Sequence, residues 1–393
     1  MHGVSAPVQS ALAHLAATNA QTLDWQCAVT RIAAPTGREA TRAGWMRDQL
    51  AAVGWTDVTV DGAGNVIARR RTHAVAVDHA AVWCCAHLDT VFDDAEPFVT
   101  RDGHRLMGPG IGDNGRGLAA LLAIAHAMHA TGITTPADVI LACTVGEEGL
   151  GDLHGMRAMM RDAQPAPRAV IVIDGAGDDR VVNAALGSTR WRLTFRGTGG
   201  HSWADYGSPN PLHVATSVAA TLQAVRFHRE PRSALTVSRI GGGESINSIP
   251  RLAWLELDVR STSAAVLSDL ERTIRATVAK AVLTENQRRR DGSAPVTAEI
   301  VQLGNRPCGE LDAGSPLVRL ALDATQRIGA IPRLAIGSTD ASVPISMGIP
   351  AIAIGAGGRG GGTHTPGEWY DDTGGVRGIH RALLITLGAA GLR

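Results

Sequence analysis

Three short, almost unbroken apolar runs constrain this chain more than anything else in it: AAVWCCAH (80–87), ADVILACTV (137–145) and RAVIVID (168–174). A strand with one wet face alternates apolar and polar residues. Runs without that alternation suit strands covered on both faces, as in an α/β sheet flanked by helices. The neighbouring segments supply the helices. Leu118 to Ala130 is rich in Ala and Leu, and residues 8–33 and 40–53 have amphipathic helical spacing, with Gly54 as a stop.

Polar residues of one kind gather where the runs end. His87-Leu88-Asp89-Thr90 closes the first, Gly146-Glu147-Glu148-Gly149 the second and Asp174-Gly175 the third. Two further segments carry the same chemistry: Gly112-Asp113-Asn114-Gly115, a glycine turn opening a helix, and Thr363-His364-Thr365 in a glycine-rich loop. Open α/β sheets place ligands at the carboxyl ends of their strands, so all five segments can converge.

From about Gly187 to Ala298 the rhythm changes. WRLTFRG (191–197), ALTVSRI (234–240), RLAWLELDVR (251–260) and VTAEIVQL (296–303) read as strands, with helices at 211–225 and 263–282. Strand-helix-strand-strand-helix-strand is the ferredoxin-like order. Residues 304–393 return to α/β character, with a strand near 350–356 and a closing helix near 375–391. A length of 393 residues exceeds one typical core. The expected division is one α/β domain from 1–186 and 304–393, interrupted by a smaller domain at 187–303.

Composition removes several classes. Lys+Arg and Asp+Glu both number 37, so the chain lacks the basic excess of a nucleic-acid binder. No run reaches the roughly 18 apolar residues of a membrane span. The N-terminal stretch has neither a basic start nor an unbroken apolar core, so no signal peptide is expected. Five scattered cysteines without CxxC spacing argue against a disulfide framework or zinc knuckle, and a reducing cytoplasm is the expectation.

The polar set itself points to metal. Two histidines with several carboxylates suit zinc, cobalt or manganese better than magnesium or calcium. A pair of divalent ions needs one bridging carboxylate and about two further ligands each, which this set supplies. Of the adjacent Glu147 and Glu148, one can bind metal while the other acts as a general base. Asp89 projects to the same side as His87 and can orient its imidazole. Taken singly, each motif has a bland reading: HxD as a polar loop, the Glu pair as a solvated turn, GDNG as a common turn. Their coincidence at the strand ends is what carries the case. Gly110 to Gly115 also matches GxGxxG, but no buried strand directly precedes it, and Asp113 would repel a pyrophosphate. The glycines at 355–362 lack the GK[ST] of a P-loop. His126 and His129 read as structural or surface residues, and His104, His154, His213 and His228 have no supporting motif.

With HLDT, GDNG, GEEG, the aspartate after an apolar strand, GGHSW (199–203) and GGTHTPGEW (361–369), the chain resembles a known family over nearly its whole length. These are the dinuclear zinc hydrolases that include aminoacylase, carboxypeptidase G, peptidase T, acetylornithine deacetylase and succinyl-diaminopimelate desuccinylase. The resemblance implies a zinc-exopeptidase-like catalytic domain, its mixed sheet covered by helices, with an inserted ferredoxin-like α+β lid and dimerisation domain. It implies His87 and Asp174 on one metal, Glu148 and His364 on the other, and Asp113 bridging them through a cis peptide to Asn114. Glu147 becomes the general base and Asp89 the partner of His87. His201 matches a histidine that the family brings into the other subunit's active site, where it polarises the scissile carbonyl. Asn247 and Arg260 match positions that bind the substrate carboxylate, and Ser338-Thr339-Asp340 resembles a peptidase T-like segment on the substrate side.

The implied activity is hydrolysis of amide bonds in small peptides by a metal-activated water, with deacylation of N-acyl amino acids or hydrolysis of another small amide as the alternative. The implied cofactors are two divalent ions per chain, zinc first and cobalt or manganese next, in a homodimer without nucleic-acid or membrane partners. A binding protein that kept the fold without catalysis would be expected to have lost a ligand or the base, and none is missing.

Overall fold

The computed structural model describes residues 5–71, 80–93, 97–227 and 230–392; His228 lies outside them. The chain forms two compact units, Met1–Ala185 with Glu310–Arg393, and Leu186–Gly309.

The larger unit is built on a mixed sheet. Four parallel strands occupy its middle, in the order Val139–Thr144, Val82–His87, Ala169–Ile173 and Ala351–Ile354. Antiparallel strands Val66–Arg70 and Asp57–Val60 extend it on one side. Arg180–Ala185 extends it on the other, joined in parallel by Arg333–Gly337. All residues of the first three central strands are buried, as their apolar runs require. Alternate side chains feed two cores. Val82, Cys84 and Ala86 pack toward helices Ala6–Ala17, Gly115–Ala130, Pro316–Arg327 and Val376–Ala389. Trp83 and Cys85 pack toward His154–Asp162 and Ser342–Ser346. Each buried Val, Leu or Ile contributes about 1.5–3 kcal/mol, so these two cores fix the sheet.

Parallel pairing has a functional consequence: the central strands all end at one edge, where Val145, His87 and Asp174 follow one another in that order. The Gly115–Ala130 helix begins beside that edge because its first turn is narrow. A Cβ on Gly117 would lie 2.1 Å from Asn114 Oδ1 and 2.8 Å from the Ile173 carbonyl, so any side chain there would push the helix off the sheet.

The segment read as one helix over 8–33 is two, Ala6–Ala17 and Asn19–Thr30. Thr18 leaves helical geometry (φ −104°, ψ 15°), and its hydroxyl donates to the His14 carbonyl at 2.9 Å. Threonine often competes for backbone groups in this way, and apolar spacing alone does not register it. A second feature has no apolar signature at all. Arg359–Gly361, Trp369–Asp371, Arg105–Met107 and Thr100–Asp102 form a small four-stranded sheet. It sets the loop after Met107 against the loop between Gly361 and Trp369, the loops that carry Asp113 and His364.

The smaller unit is ferredoxin-like. Strands Ser233–Gly242, Leu252–Ser261, Gly187–Arg196 and Thr297–Arg306 lie in that order, all antiparallel. Helices Pro211–Gln223 and Ala264–Gln287 cover one face. Their core includes Trp191, Leu193, Phe195, Val218, Leu255, Leu257 and Ile274. Strict alternation of buried and half-buried residues along Leu252–Ser261 is the period-2 signal of a sheet with one covered face. Outside this sheet, Gly200–His201 pairs with Ser248–Ile249. Among the described residues, no helix is long and apolar enough to cross a membrane.

Candidate metal centre

Each ligand candidate of the larger unit is fixed by the element that carries it. His87 is the last residue of its strand and fully enclosed. Its Nδ1 lies 3.0 Å from the Asp89 main-chain oxygen and 3.5 Å from the Asp89 carboxylate. Its Nε2 points the other way, 2.9 Å from Asp113 Oδ1 and 3.9 Å from Asp174 Oδ1. Asp113 precedes the N-cap of the Gly115–Ala130 helix, where the helix dipole favours an anion. The Asp113–Asn114 peptide is cis. Asp113 Oδ2 lies 3.3 Å from His364 Nε2, which in turn meets Glu148 Oε1 at 2.8 Å. His364 takes φ +65°, a left-handed conformation uncommon outside glycine that non-glycine residues adopt chiefly in turns and functional loops.

These contacts resolve into overlapping donor groups. His87, Asp113 and Asp174 form one; Asp113, Glu148 and His364 a second; His87, Glu147 and Glu148 a third. Within each group the donor atoms lie within 4.8 Å of one another. Tetrahedral zinc ligands sit roughly 3.4 Å apart, so the separations fit ions held by nitrogen and oxygen. Asp113 offers one oxygen to each imidazole, the arrangement a bridging carboxylate requires.

The charges reinforce this. Burial alone would lower the His87 pKa, but its bonds to Asp113 and Asp89 outweigh burial and hold it raised. His364 is raised to about 9, chiefly by its bond to Asp113. Burial, then the nearby Asp113 charge, pushes Asp174 up, and burial pushes Glu148 up. Asp113 stays well below the usual carboxylate range because both histidines outweigh its burial. Several carboxylates crowded out of water repel one another, and divalent cations relieve that repulsion.

Asp89 does more than the sequence suggests. Its carboxylate is fully buried, accepting the Glu147 N–H and the Glu148 N–H at 2.9 Å each and the Thr36 hydroxyl at 2.8 Å. It therefore clamps the turn that presents both glutamates, while His87 Nδ1 rests mainly on the Asp89 carbonyl. Asn114 was noted only for its peptide bond. Its side chain donates to the Ile173 carbonyl at 2.9 Å and accepts from Gly117 and Gly175, tying the Asp113 turn to the end of the strand that Asp174 follows. Glu368, quoted above only within a motif, is buried and accepts three backbone N–H groups of the 110–113 turn. Thr36 had no local motif. A glutamate four residues after a candidate ligand histidine was the one available hint for Glu368.

A cavity of about 780 Å³ opens beside this group, lined by Asp113, Asp174, Arg180, Arg333, Arg359 and Trp369 among others. Ser338 and Thr339 belong to the same unit but not to any donor group. Thr339 is buried, and its hydroxyl accepts the Ala341 N–H at 3.2 Å at the start of a short helix. In the smaller unit, His201 pairs with Ser248, and next to this pair Ser202 N donates to the Asn247 carbonyl at 2.9 Å. His201 and Asn247 are both exposed. Arg260 lies on the Leu252–Ser261 strand and donates Nε to Asp258 at 2.8 Å.

Comparison with known proteins places this geometry in context. Residues 83–385 match the profile of peptidase family M20/M25/M40. A succinyl-diaminopimelate desuccinylase from Corynebacterium glutamicum is 27% identical over 340 residues, covering 83% of this chain and 85% of the relative. A tripeptidase from Staphylococcus aureus has the same fold at 18% identity, with a TM-score of 0.78 and coverage of 94% of this chain and 98% of that one. A di-peptidase from Saccharomyces cerevisiae has a TM-score of 0.74 at 15% identity, covering 98% of each chain.

Proposed function

Because the chain belongs to peptidase family M20/M25/M40, a family of metal-dependent hydrolases of amide bonds, we propose that it cleaves small peptides with two zinc ions held at the centre described above. His87 and Asp174 would hold one ion and Glu148 and His364 the other, with Asp113 shared between them; cobalt or manganese could substitute. The observation that carries this reading is the sharing of Asp113 between two donor groups, one oxygen toward each histidine. When bound, such ions lower the pKa of water toward ~7 and polarise a carbonyl.

The chain's own residues do the rest. Glu147 takes the proton of the attacking water and returns it to the leaving amine, which general base-acid work requires of a carboxylate at this position. Asp89 holds Glu147 and Glu148 in register. His201 donates to the oxyanion that develops on the substrate, in the neighbouring subunit of a homodimer. Its tautomer supports that role: Nδ1 accepts the Trp203 and Ala204 N–H groups at 3.2 and 3.3 Å, which leaves the proton on Nε2. Asn247 and Arg260 read the substrate carboxylate, a task suited to a guanidinium fork, and residues 187–303 serve as lid and dimerisation domain. Ser338 and Thr339 act on the substrate side. The cavity's volume suits a di- or tripeptide. Five unpaired cysteines support a reducing, cytoplasmic setting.

A second reading, N-acyl amino acid deacylation, is favoured by the likeness to the Corynebacterium glutamicum desuccinylase. A screen of dipeptides, tripeptides and N-acetyl amino acids with zinc-loaded protein separates them. Peptide cleavage that chelation abolishes and zinc, cobalt or manganese restores is the expected result. Cleavage of N-acetyl amino acids alone would favour the second reading. Two bound metals without hydrolysis of any amide would leave only a binding role.

A further inference from the structure

We infer that Glu368 is a positioning residue that joins the two loops of the metal centre into one unit and thereby sets its metal affinity. The inference rests on the reading of Asp113 and His364 as ligands. Glu368 is 1% exposed, and both carboxylate oxygens are engaged. Oε1 accepts the N–H groups of Gly112 and Asp113 at 2.8 Å each, and Oε2 accepts that of Gly110 at 2.9 Å. The Glu368 main-chain oxygen also accepts the Gly108 N–H at 2.9 Å. One residue therefore satisfies four backbone donors of a six-residue stretch that ends in Asp113.

The other end of the contact is the His364 loop. Glu368 N donates to the Thr365 carbonyl at 3.1 Å, closing the turn that follows His364, and the next residue, Trp369, pairs with Met107 across the small sheet. Asp113 and His364 come from distant parts of the chain and must arrive within hydrogen-bond distance of each other. The small sheet and the buried cluster of Leu106, Ile111 and Tyr370 bring the two loops side by side. Glu368 adds the polar tie, holding the main chain under Asp113 from the segment that carries His364. The turn is fitted to this carboxylate: a Cβ on Gly112 would already lie 3.0 Å from Glu368 Oε1.

Glu368→Gln and Glu368→Ala separate positioning from general stability. Glutamine keeps a single carbonyl oxygen. If it accepts from Gly112 and Asp113, its NH₂ faces the Gly110 N–H. Alanine removes all three bonds, and aspartate is one methylene short of them. In metal-free protein, amide hydrogen exchange at Gly110, Gly112 and Asp113 should quicken in the order wild type, Gln, Ala, while the central strands keep their protection. Zinc competition against a chelator should show affinity falling roughly 10–100-fold in Glu368→Gln, the usual scale for groups that orient ligands. The cobalt-loaded variant should show an altered visible absorption spectrum. A merely structural glutamate would lower Tm yet leave the folded variant's zinc affinity and cobalt spectrum at wild-type values, and that result would overturn the inference. In Glu368→Ala, unchanged exchange at Gly110, Gly112 and Asp113 would overturn it too. If wild-type protein takes up no metal, the ligand assignment fails, while the exchange measurement still decides whether Glu368 holds the turn.

Discussion

Asp89→Asn is the substitution whose outcome the geometry sets most tightly. The wild-type carboxylate accepts two backbone N–H groups and one hydroxyl in a fully buried position, beside the His87 imidazole. Asparagine offers one oxygen in place of two. Either Glu147 N–H or Glu148 N–H then faces an NH₂ group, and an unpaired buried donor costs about 1–3 kcal/mol. The surviving bonds pass from charge-assisted to neutral, roughly halving their strength. Together these predict a loss of about 2–4 kcal/mol in stability, read from the denaturant midpoint of the metal-free protein. The same change loosens the turn carrying Glu148 and the proposed base Glu147, so zinc affinity should fall about 10–100-fold. Thr36→Val removes a single hydroxyl donor and should cost no more than about 0.5–1.5 kcal/mol. An Asp89→Asn protein with wild-type stability and zinc affinity would show that the carboxylate clamp is energetically idle, and the argument from its three bonds would fall.

Three further outcomes follow from the proposed roles. Glu147→Ala should retain two metals by elemental analysis and lose about 10²–10⁴-fold in kcat, whereas Glu148→Ala should lose metal affinity itself; exchanged phenotypes would reverse the assignment. Arg260→Ala should reduce kcat/KM for peptides with a free carboxylate roughly 10–100-fold, the worth of a charge-assisted pair, with a smaller loss on amidated analogues; equal losses would make Arg260 structural. Mixing Glu147→Ala with His201→Ala subunits should restore about a quarter of wild-type activity, because half of randomly reassorted dimers are mixed and each has one intact site of two. Persistent inactivity in a mixture that demonstrably exchanges subunits would mean that His201 does not serve its neighbour.

The central sheet was readable because its information is local. Unbroken apolar runs can only be buried on both faces, and the acids and histidine that end them are conspicuous where more apolar residues would be expected. The ferredoxin-like unit was readable from the alternation of strands such as Leu252–Ser261. What escaped is what distant backbone decides. Arg105–Met107 and Arg359–Gly361 are too short and polar to announce a strand, yet they draw two loops together. Thr36 and Glu368 act through main-chain or buried polar contacts with partners far away in sequence, and no periodicity records such bonds. Asp89 was marked as a neighbour of His87, while its larger task on the Glu147–Glu148 turn depends on the parallel register of two strands.

Arg381, in the closing helix Val376–Ala389, is fully buried and donates to the carbonyls of Asp178, Arg180, Gly177 and Gly355. It thus props the loop after Asp174 and the loop after the Ala351–Ile354 strand from beneath. Synthesis adds this residue after every segment that it steadies. His87, Asp113, Glu148 and Asp174 leave the exit tunnel long before either His364 or the arginine that steadies their surroundings. A growing chain therefore carries only part of the proposed ligand set until His364 and Arg381 have been added. Ribosome-bound chains halted before residue 360 should be unable to retain zinc in a pulse-chelation experiment, whereas chains in which residues up to Arg381 have emerged should retain it.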